Sequence, residues 1–132
     1  MNLVSIRIIT EDVARLAGFY EHVTGATASW STEDFAELTV GPATLAIGST
    51  RTVPLFAPGS AEAGANRSVV VEFLVDDVDA LHAALGGRGG EFVNAPTTLP
   101  WGNRSLLLRD PDGNLVNLFT PVTPAARAKF GL

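Results

Sequence analysis

Leu108-Arg109-Asp110-Pro111-Asp112-Gly113-Asn114-Leu115-Val116-Asn117-Leu118 is two apolar runs joined by five turn-forming residues. Pro presets φ, Gly takes positive φ at no steric cost, and Asp and Asn side chains bond their own backbone. Residues 110–113 therefore predict a tight turn, and the flanking runs, 104–109 and 115–120, predict a pair of strands. Working back along the chain, residues 91–94 predict another strand. Before it, Asp76-Asp77 opens a helix whose apolar stripe is Val78, Leu81, Ala84 and Leu85, and Gly86-Gly87 ends it. A strong strand signal covers residues 68–75. Beyond the hairpin, Thr123-Pro124 reads as an N-cap with Pro at the first helical position, which predicts a short terminal helix.

The first half of the chain follows the same order. Residues 3–9 predict a strand. Thr10-Glu11-Asp12 opens a helix with a stripe of Val13, Leu16, Ala17 and Tyr20, and Gly25 is its stop. Strands are predicted at 27–30, 35–40 and 44–47, with Gly41-Pro42 as the turn between the last two. Residues 49–66 are small, polar and rich in Pro and Gly, as expected of a linker or a long ligand-facing loop. The pattern is βαβββ twice, within a single domain over 1–132: module 1 at 1–48, a linker at 49–66, module 2 at 67–122 and a tail at 123–132. One four-stranded sheet with a helix on one face leaves its other face bare. The expected fold is thus α+β, with two modules curling their bare faces into one curved eight-stranded mixed sheet around a concave cavity.

Composition narrows the function. The chain has 132 residues, 46% of them hydrophobic, which suits one compact domain and not a disordered chain. With no Cys there is no disulfide, thiolate metal site or Cys nucleophile. The net charge of −5 and a lone Lys, Lys129, argue against nucleic acid as a partner. No apolar run reaches the roughly 18 residues of a membrane span. The N-terminus lacks a basic region followed by an apolar core, and the expected location is cytoplasmic. His22 and His82 are expected on solvent-facing sides of the two helices.

Several stretches resemble the vicinal oxygen chelate superfamily, the group of glyoxalases, extradiol dioxygenases and bleomycin-resistance proteins. They are Ile8-Ile9-Thr10-Glu11-Asp12 running on to Phe19-Tyr20, the Asp-Pro-Asp-Gly-Asn turn at 110–114, Val75-Asp76-Asp77-Val78-Asp79-Ala80, and Pro100-Trp101-Gly102-Asn103-Arg104. The resemblance implies a divalent metal held by four His or Glu positions, two from each module. Carried over by register, those positions fall at Ser5, at or beside Ala46, at Val70 and at Asn117. None is a ligand type, and Val and Ala offer no side-chain donor, so no metal and no other cofactor is expected. The resemblance then points to the metal-free antibiotic-binding type.

Strand alternation selects the cavity lining. Ser5, Arg7 and Ile9, then Val70, Glu72 and Leu74, then Leu115, Asn117 and Phe119 share the faces of the lost ligands. Arg7 and Glu72 are expected either to pair with each other or to clamp a ligand carbonyl, phenol or carboxylate, and Glu72 is a candidate general base. Trp30 and Phe35 flank a turn, Phe56 sits in the linker, and Trp101 precedes a strand with Asn103 beside it. In metal-free relatives, aromatic rings near the cavity mouth stack on flat drugs. The resulting expectation is non-catalytic binding and sequestration of a hydrophobic aromatic small molecule, an antibiotic first, giving drug resistance or self-resistance. The alternative is a metal-independent enzyme acting on a carbonyl-containing or polyketide-like molecule. The resemblance also implies a homodimer, with modules exchanged between chains.

Overall fold

A computed structural model describes residues 1–132. It is α+β, but the strands form two sheets instead of one of eight strands. One has four strands and the other five. The chain divides into two compact units, Met1–Asn66 with Pro111–Gly113, and Arg67–Asp110 with Asn114–Leu132.

In the first unit the sheet order is β1-β4-β3-β2, from β1 (Ser5–Thr10), β2 (Ser29–Thr32), β3 (Phe35–Val40) and β4 (Ala43–Ser49). β1 runs parallel to β4, and the other neighbours are antiparallel. Helix α1 (Val13–Thr24) starts where the Asp12 side chain accepts the Arg15 N–H, and stops at Gly25 in the left-handed region. Its stripe of Val13, Leu16, Ala17, Tyr20 and Val23 is buried, as are Ala36, Leu38, Leu45 and Ile47 of the sheet. The β2–β3 turn is tied to the end of β4. Asp34 Oδ1 accepts from Ser49 Oγ at 2.8 Å and from Arg51 Nε at 2.7 Å, and Ser49 N–H donates to Asp34 O. These bonds hold the Asp34 carboxyl below its ordinary pKa, the Ser49 hydroxyl first and Arg51 second, while Asp34 raises Arg51.

The stretch after β4 contains more structure than its composition suggests. A single 3-10 turn, Thr50–Thr52, leads into α2 (Val53–Phe56), with a Pro near its start. Val53 is buried, and Leu55 and Phe56 are exposed.

The second unit has the order β5-β9-β8-β6, with β7 also paired to β8. Its strands are β5 (Val70–Leu74), β6 (Glu91–Phe92), β7 (Thr97–Thr98), β8 (Asn103–Arg109) and β9 (Leu115–Pro121). The strand expected at 91–94 stops at Phe92: Val93 N–H still donates to Leu107 O at 2.8 Å, but the Asn94 side-chain oxygen takes the Leu107 N–H at 2.8 Å in place of a backbone carbonyl, and pairing resumes at Thr97. Helix α3 (Val78–Leu85), capped by Asp77, covers Leu106, Leu108, Val116 and Leu118, all fully buried. Arg104 grips Asp79 of α3 with two N–H bonds of 2.6 and 2.7 Å, which hold the Asp79 carboxyl below its usual range. Helix α4 (Pro124–Lys129) is capped by Thr123 Oγ1, which accepts the Ala126 N–H.

The diagnostic turn is built as its residues predict. Asp110 accepts the Asn114 N–H at 2.9 Å and the Asn114 Nδ2 at 2.8 Å, both groups buried. Its tip, Pro111–Gly113, belongs to the first unit, where Asp112 Oδ1 accepts from Arg15 Nη2 of α1 at 2.9 Å.

Candidate functional site

The face of the first sheet turned away from α1 carries Ser5, Arg7 and Ile9 of β1. Cross-strand pairing adds Thr44, Ala46 and Gly48 of β4 and Phe35 and Glu37 of β3. Ala46 and Gly48 are small, so long neighbours can lie across them. A Cβ placed on Gly48 would sit 3.8 Å from Arg7 Cδ and 3.1 Å from Thr52 Oγ1. The Arg7 guanidinium carbon lies 4.8 Å from the centre of the Phe35 ring and 5.0 Å from that of Phe56. Both distances are in the range of cation–π attraction, worth about 0.5–1 kcal/mol per exposed contact. Arg7, Phe35 and Phe56 thus form one cluster, with Phe56 still 71% exposed.

Trp30 is placed elsewhere. It pairs with Ala36, whose face packs on α1, and a register shift follows between Trp30 and Thr32. It therefore lies on the opposite face from Arg7, at the sheet edge and 44% exposed. Trp30 and Phe35 both flank the β2–β3 turn, but neighbours around a β-turn need not share a face.

On the second sheet, the face away from α3 carries Val70, Glu72 and Leu74 of β5. Opposite them stand Leu115, Asn117 and Phe119 of β9. Pairing of β9 with β8 adds Asn103, Ser105, Leu107 and Arg109. Asn117 donates from Nδ2 to Glu72 Oε2 at 2.7 Å. Glu72 and Arg7, expected as a pair, thus each have a partner within their own unit. Asn117 Oδ1, Ser105 Oγ and Asn103 Oδ1 are buried without a hydrogen-bond partner. Phe119 is buried, and its ring lies 5.4 Å from that of Phe130 at the end of α4. Sequence reading passed over Ser105. Alternation along 103–109 was the available signal, since it puts Ser105 on the same face as Asn103.

Trp101 stands in the turn between β7 and β8, 66% exposed, with no ring partner. The turn is fixed by bonds from Gly102 N–H to Leu99 O and from Val122 N–H to Gly102 O. Of the two histidines, His22 is exposed, whereas His82 is half-buried with its ring edge-on to Phe92 at 4.8 Å.

The resemblance assigns a divalent ion to Ser5, to Ala46 or a neighbour, to Val70 and to Asn117. Ala46 stands between Arg7 and Glu37, Val70 stands opposite Leu115, and the one carboxylate beside Asn117, Glu72, is bonded to its Nδ2. The donors present do not fit such an ion, and no three His, Cys, Asp or Glu side chains are grouped to hold a metal. No helix is long and apolar enough to cross a membrane.

Comparison with known proteins places this architecture. A glyoxalase/bleomycin resistance protein/dioxygenase family enzyme from Burkholderia phytofirmans PsJN matches with a TM-score of 0.80 at 22% identity. The match covers 92% of this chain and 100% of that chain. A second such protein, from Nocardioides, gives 0.76 at 23% identity over 94% of this chain and 85% of that chain. Likeness at these identities establishes the fold. YraH of Bacillus subtilis (strain 168) is 27% identical over 125 residues, 90% of this chain and 98% of that protein. The family model for the Glyoxalase/Bleomycin resistance protein/Dioxygenase superfamily matches residues 2–118. This chain belongs to that superfamily.

Proposed function

We propose that the protein binds a hydrophobic aromatic small molecule without a metal and without altering it, and that the molecule is an antibiotic. Acting as a homodimer in the cytoplasm, it lowers the free drug concentration and so confers resistance. The observation that carries this reading is the Arg7–Phe35–Phe56 cluster. A guanidinium held against two rings, one of them largely exposed, offers a flat cationic and aromatic surface. Offset stacking on such rings is worth about 0.5–1.5 kcal/mol beyond area burial. The exposed Trp101 is a further stacking surface. The absence of ligand-type side chains at the metal positions of the resemblance supports the metal-free form of this reading.

A second reading is a metal-independent enzyme acting on a carbonyl-containing or polyketide-like molecule. Glu72 favours it: an exposed carboxylate oriented by Asn117 at 2.7 Å can take a proton from a bound substrate.

Titration with bleomycin and with doxorubicin, followed by calorimetry, tests both. Saturation near one equivalent per site, with the drug recovered unchanged by mass spectrometry, supports sequestration. A new product supports the enzyme. Stoichiometric zinc, nickel or iron in the purified protein overturns the metal-free reading.

A further inference from the structure

We infer that the face of the second sheet away from α3 is an acceptor row that selects its ligand by hydrogen-bond donors: a hydroxyl, an amide N–H or an ammonium group. The inference rests on the small-molecule-binding reading above and names the chemistry of the molecule bound.

The chemistry of each group sets the polarity of the row. An ionised carboxylate has only acceptors, so Glu72 must receive a proton from whatever bonds it. Asn117 therefore turns Nδ2 toward Glu72, at 2.7 Å, and its carbonyl Oδ1 away. That oxygen is an acceptor, it is buried, and it has no partner. Asn103 Oδ1 is a second buried acceptor without a partner. Ser105 Oγ is a third unpartnered oxygen, able to accept or donate. Asn117 is 9% exposed and Ser105 is 2% exposed, so bulk water does not supply the missing bonds.

Register brings them together. Asn117 stands opposite Leu107, and Ser105 opposite Phe119 two residues along. The two polar side chains are diagonal neighbours on one face, at a Cα separation of about 7–8 Å. One small group bearing two donors can span that gap. Asn103 continues the row along β8. Arg109 is the one basic residue on this face, and it stands opposite Glu91 in the β6 pairing.

Buried polar atoms are satisfied in the great majority of cases, and each exception calls for an explanation. Three unpartnered oxygens on one face, two of them acceptor-only, constitute one exception with a direction. In a shielded setting an acceptor row attracts donors strongly and repels other acceptors. Carboxylates and phosphates are excluded, and alcohols, amides and amines are favoured. Because the oxygens are shielded, the donor must enter the face to reach them.

Three naphthalene probes test this on the full chain: 2-naphthylmethylamine, 2-naphthol and 2-naphthoate. They share one ring system and differ in the polar group. The expected result is that the amine binds about tenfold or more tightly than the carboxylate, one charge-assisted bond being worth at least that factor, with the neutral naphthol between the two. In Ser105→Ala combined with Asn117→Leu the preference falls to about threefold or less. A preference for the naphthoate, or one unchanged in the double variant, overturns the acceptor row while leaving the binding reading intact. If none of the probes binds although doxorubicin does, the acceptor row is overturned and the binding reading stands; if doxorubicin and bleomycin fail to bind as well, both fall. A measurement that needs no variant is the ¹³C shift of the Asn117 side-chain carbonyl. It moves on adding the amine if Oδ1 accepts the ligand's proton, and an unmoved signal at saturation overturns the inference.

Discussion

Gly102→Ala is the substitution whose cost can be worked most fully from the structure. Gly102 has φ +90°, and a Cβ built there lies 2.1 Å from Thr123 Oγ1 and 3.0 Å from both Thr123 Cβ and Cγ2. The backbone conformation alone costs a side chain about 1–2 kcal/mol. The contact at 2.1 Å is far inside van der Waals distance, so Thr123 must rotate. Its hydroxyl accepts the Ala126 N–H at 3.2 Å and caps α4, and losing a cap costs about 1 kcal/mol. Gly102 cannot simply retreat, because its carbonyl accepts the Val122 N–H at 2.8 Å. Against this, Ala restricts the unfolded chain by about 0.4–1 kcal/mol. The net loss is about 2 kcal/mol, a fall in Tm of roughly 6–10 °C for a chain of this size. Urea unfolding measures it directly. The cycle with Thr123→Ala is the sharper assay, since that change removes Oγ1 and Cγ2 together. The double variant should then lose about 1 kcal/mol less than the sum of the singles. Strictly additive losses, or a Gly102→Ala variant as stable as the parent, would refute the reasoning.

Ser105→Ala should leave stability unchanged or raise it by up to about 1 kcal/mol, because it removes a buried hydroxyl with no partner. A loss above 1 kcal/mol in chemical unfolding would mean that the hydroxyl has a partner after all. Acid should weaken the fold through Asp34 and Asp79, whose carboxyls are held below their ordinary pKa by Ser49 with Arg51 and by Arg104 respectively. Groups with depressed folded pKa values contribute stability above about pH 4, which is lost as pH falls through those lowered values. The Asp34→Asn variant should show a flatter urea midpoint between pH 5 and pH 3, and an identical slope would remove Asp34 from the account. Trp101→Ala should weaken binding of an aromatic drug by roughly three- to tenfold if that ring stacks, from the usual worth of one aromatic contact. Unchanged affinity in calorimetry on a folded variant would exclude it from the site.

Local chemistry made much of this fold legible. Asp12 and Asp77 were readable as helix starts because a carboxylate before an apolar stripe accepts the free N–H groups of the first turn, and both side chains do so. Phe35–Val40 was readable as a strand to the residue, since alternation and the Gly41-Pro42 turn delimit it. What escaped was set by distance along the chain. Helix α2 was hidden in a stretch whose small and polar residues mimic a linker, although Val53 is buried. The partners of Arg7 lie 28 and 49 residues further on, and no period reports a contact of that kind. The face that Trp30 takes was not legible, because alternation assigns faces only within a strand, and a register shift separates it from Thr32. For the candidate site, Asn117 came from the family resemblance and Glu72 from alternation on the face it sets, but their mutual bond and the unpartnered Ser105 come from cross-strand register.

The ownership of Pro111–Gly113 bears on how the chain is made. The first unit is encoded by the first 66 residues and by three more that follow about 45 residues later. At a ribosomal pace of about 5–20 residues per second, roughly 2–9 s pass between the completion of Asn66 and the arrival of Asp112. During that interval the Arg15 guanidinium, which ends up bonded to Asp112 across 97 positions of sequence, lacks its final carboxylate. The last hairpin to be synthesised therefore delivers the closing contact to the first helix. Full protection of α1 against hydrogen exchange should depend on the nascent chain having passed its Asp-Pro-Asp-Gly-Asn turn.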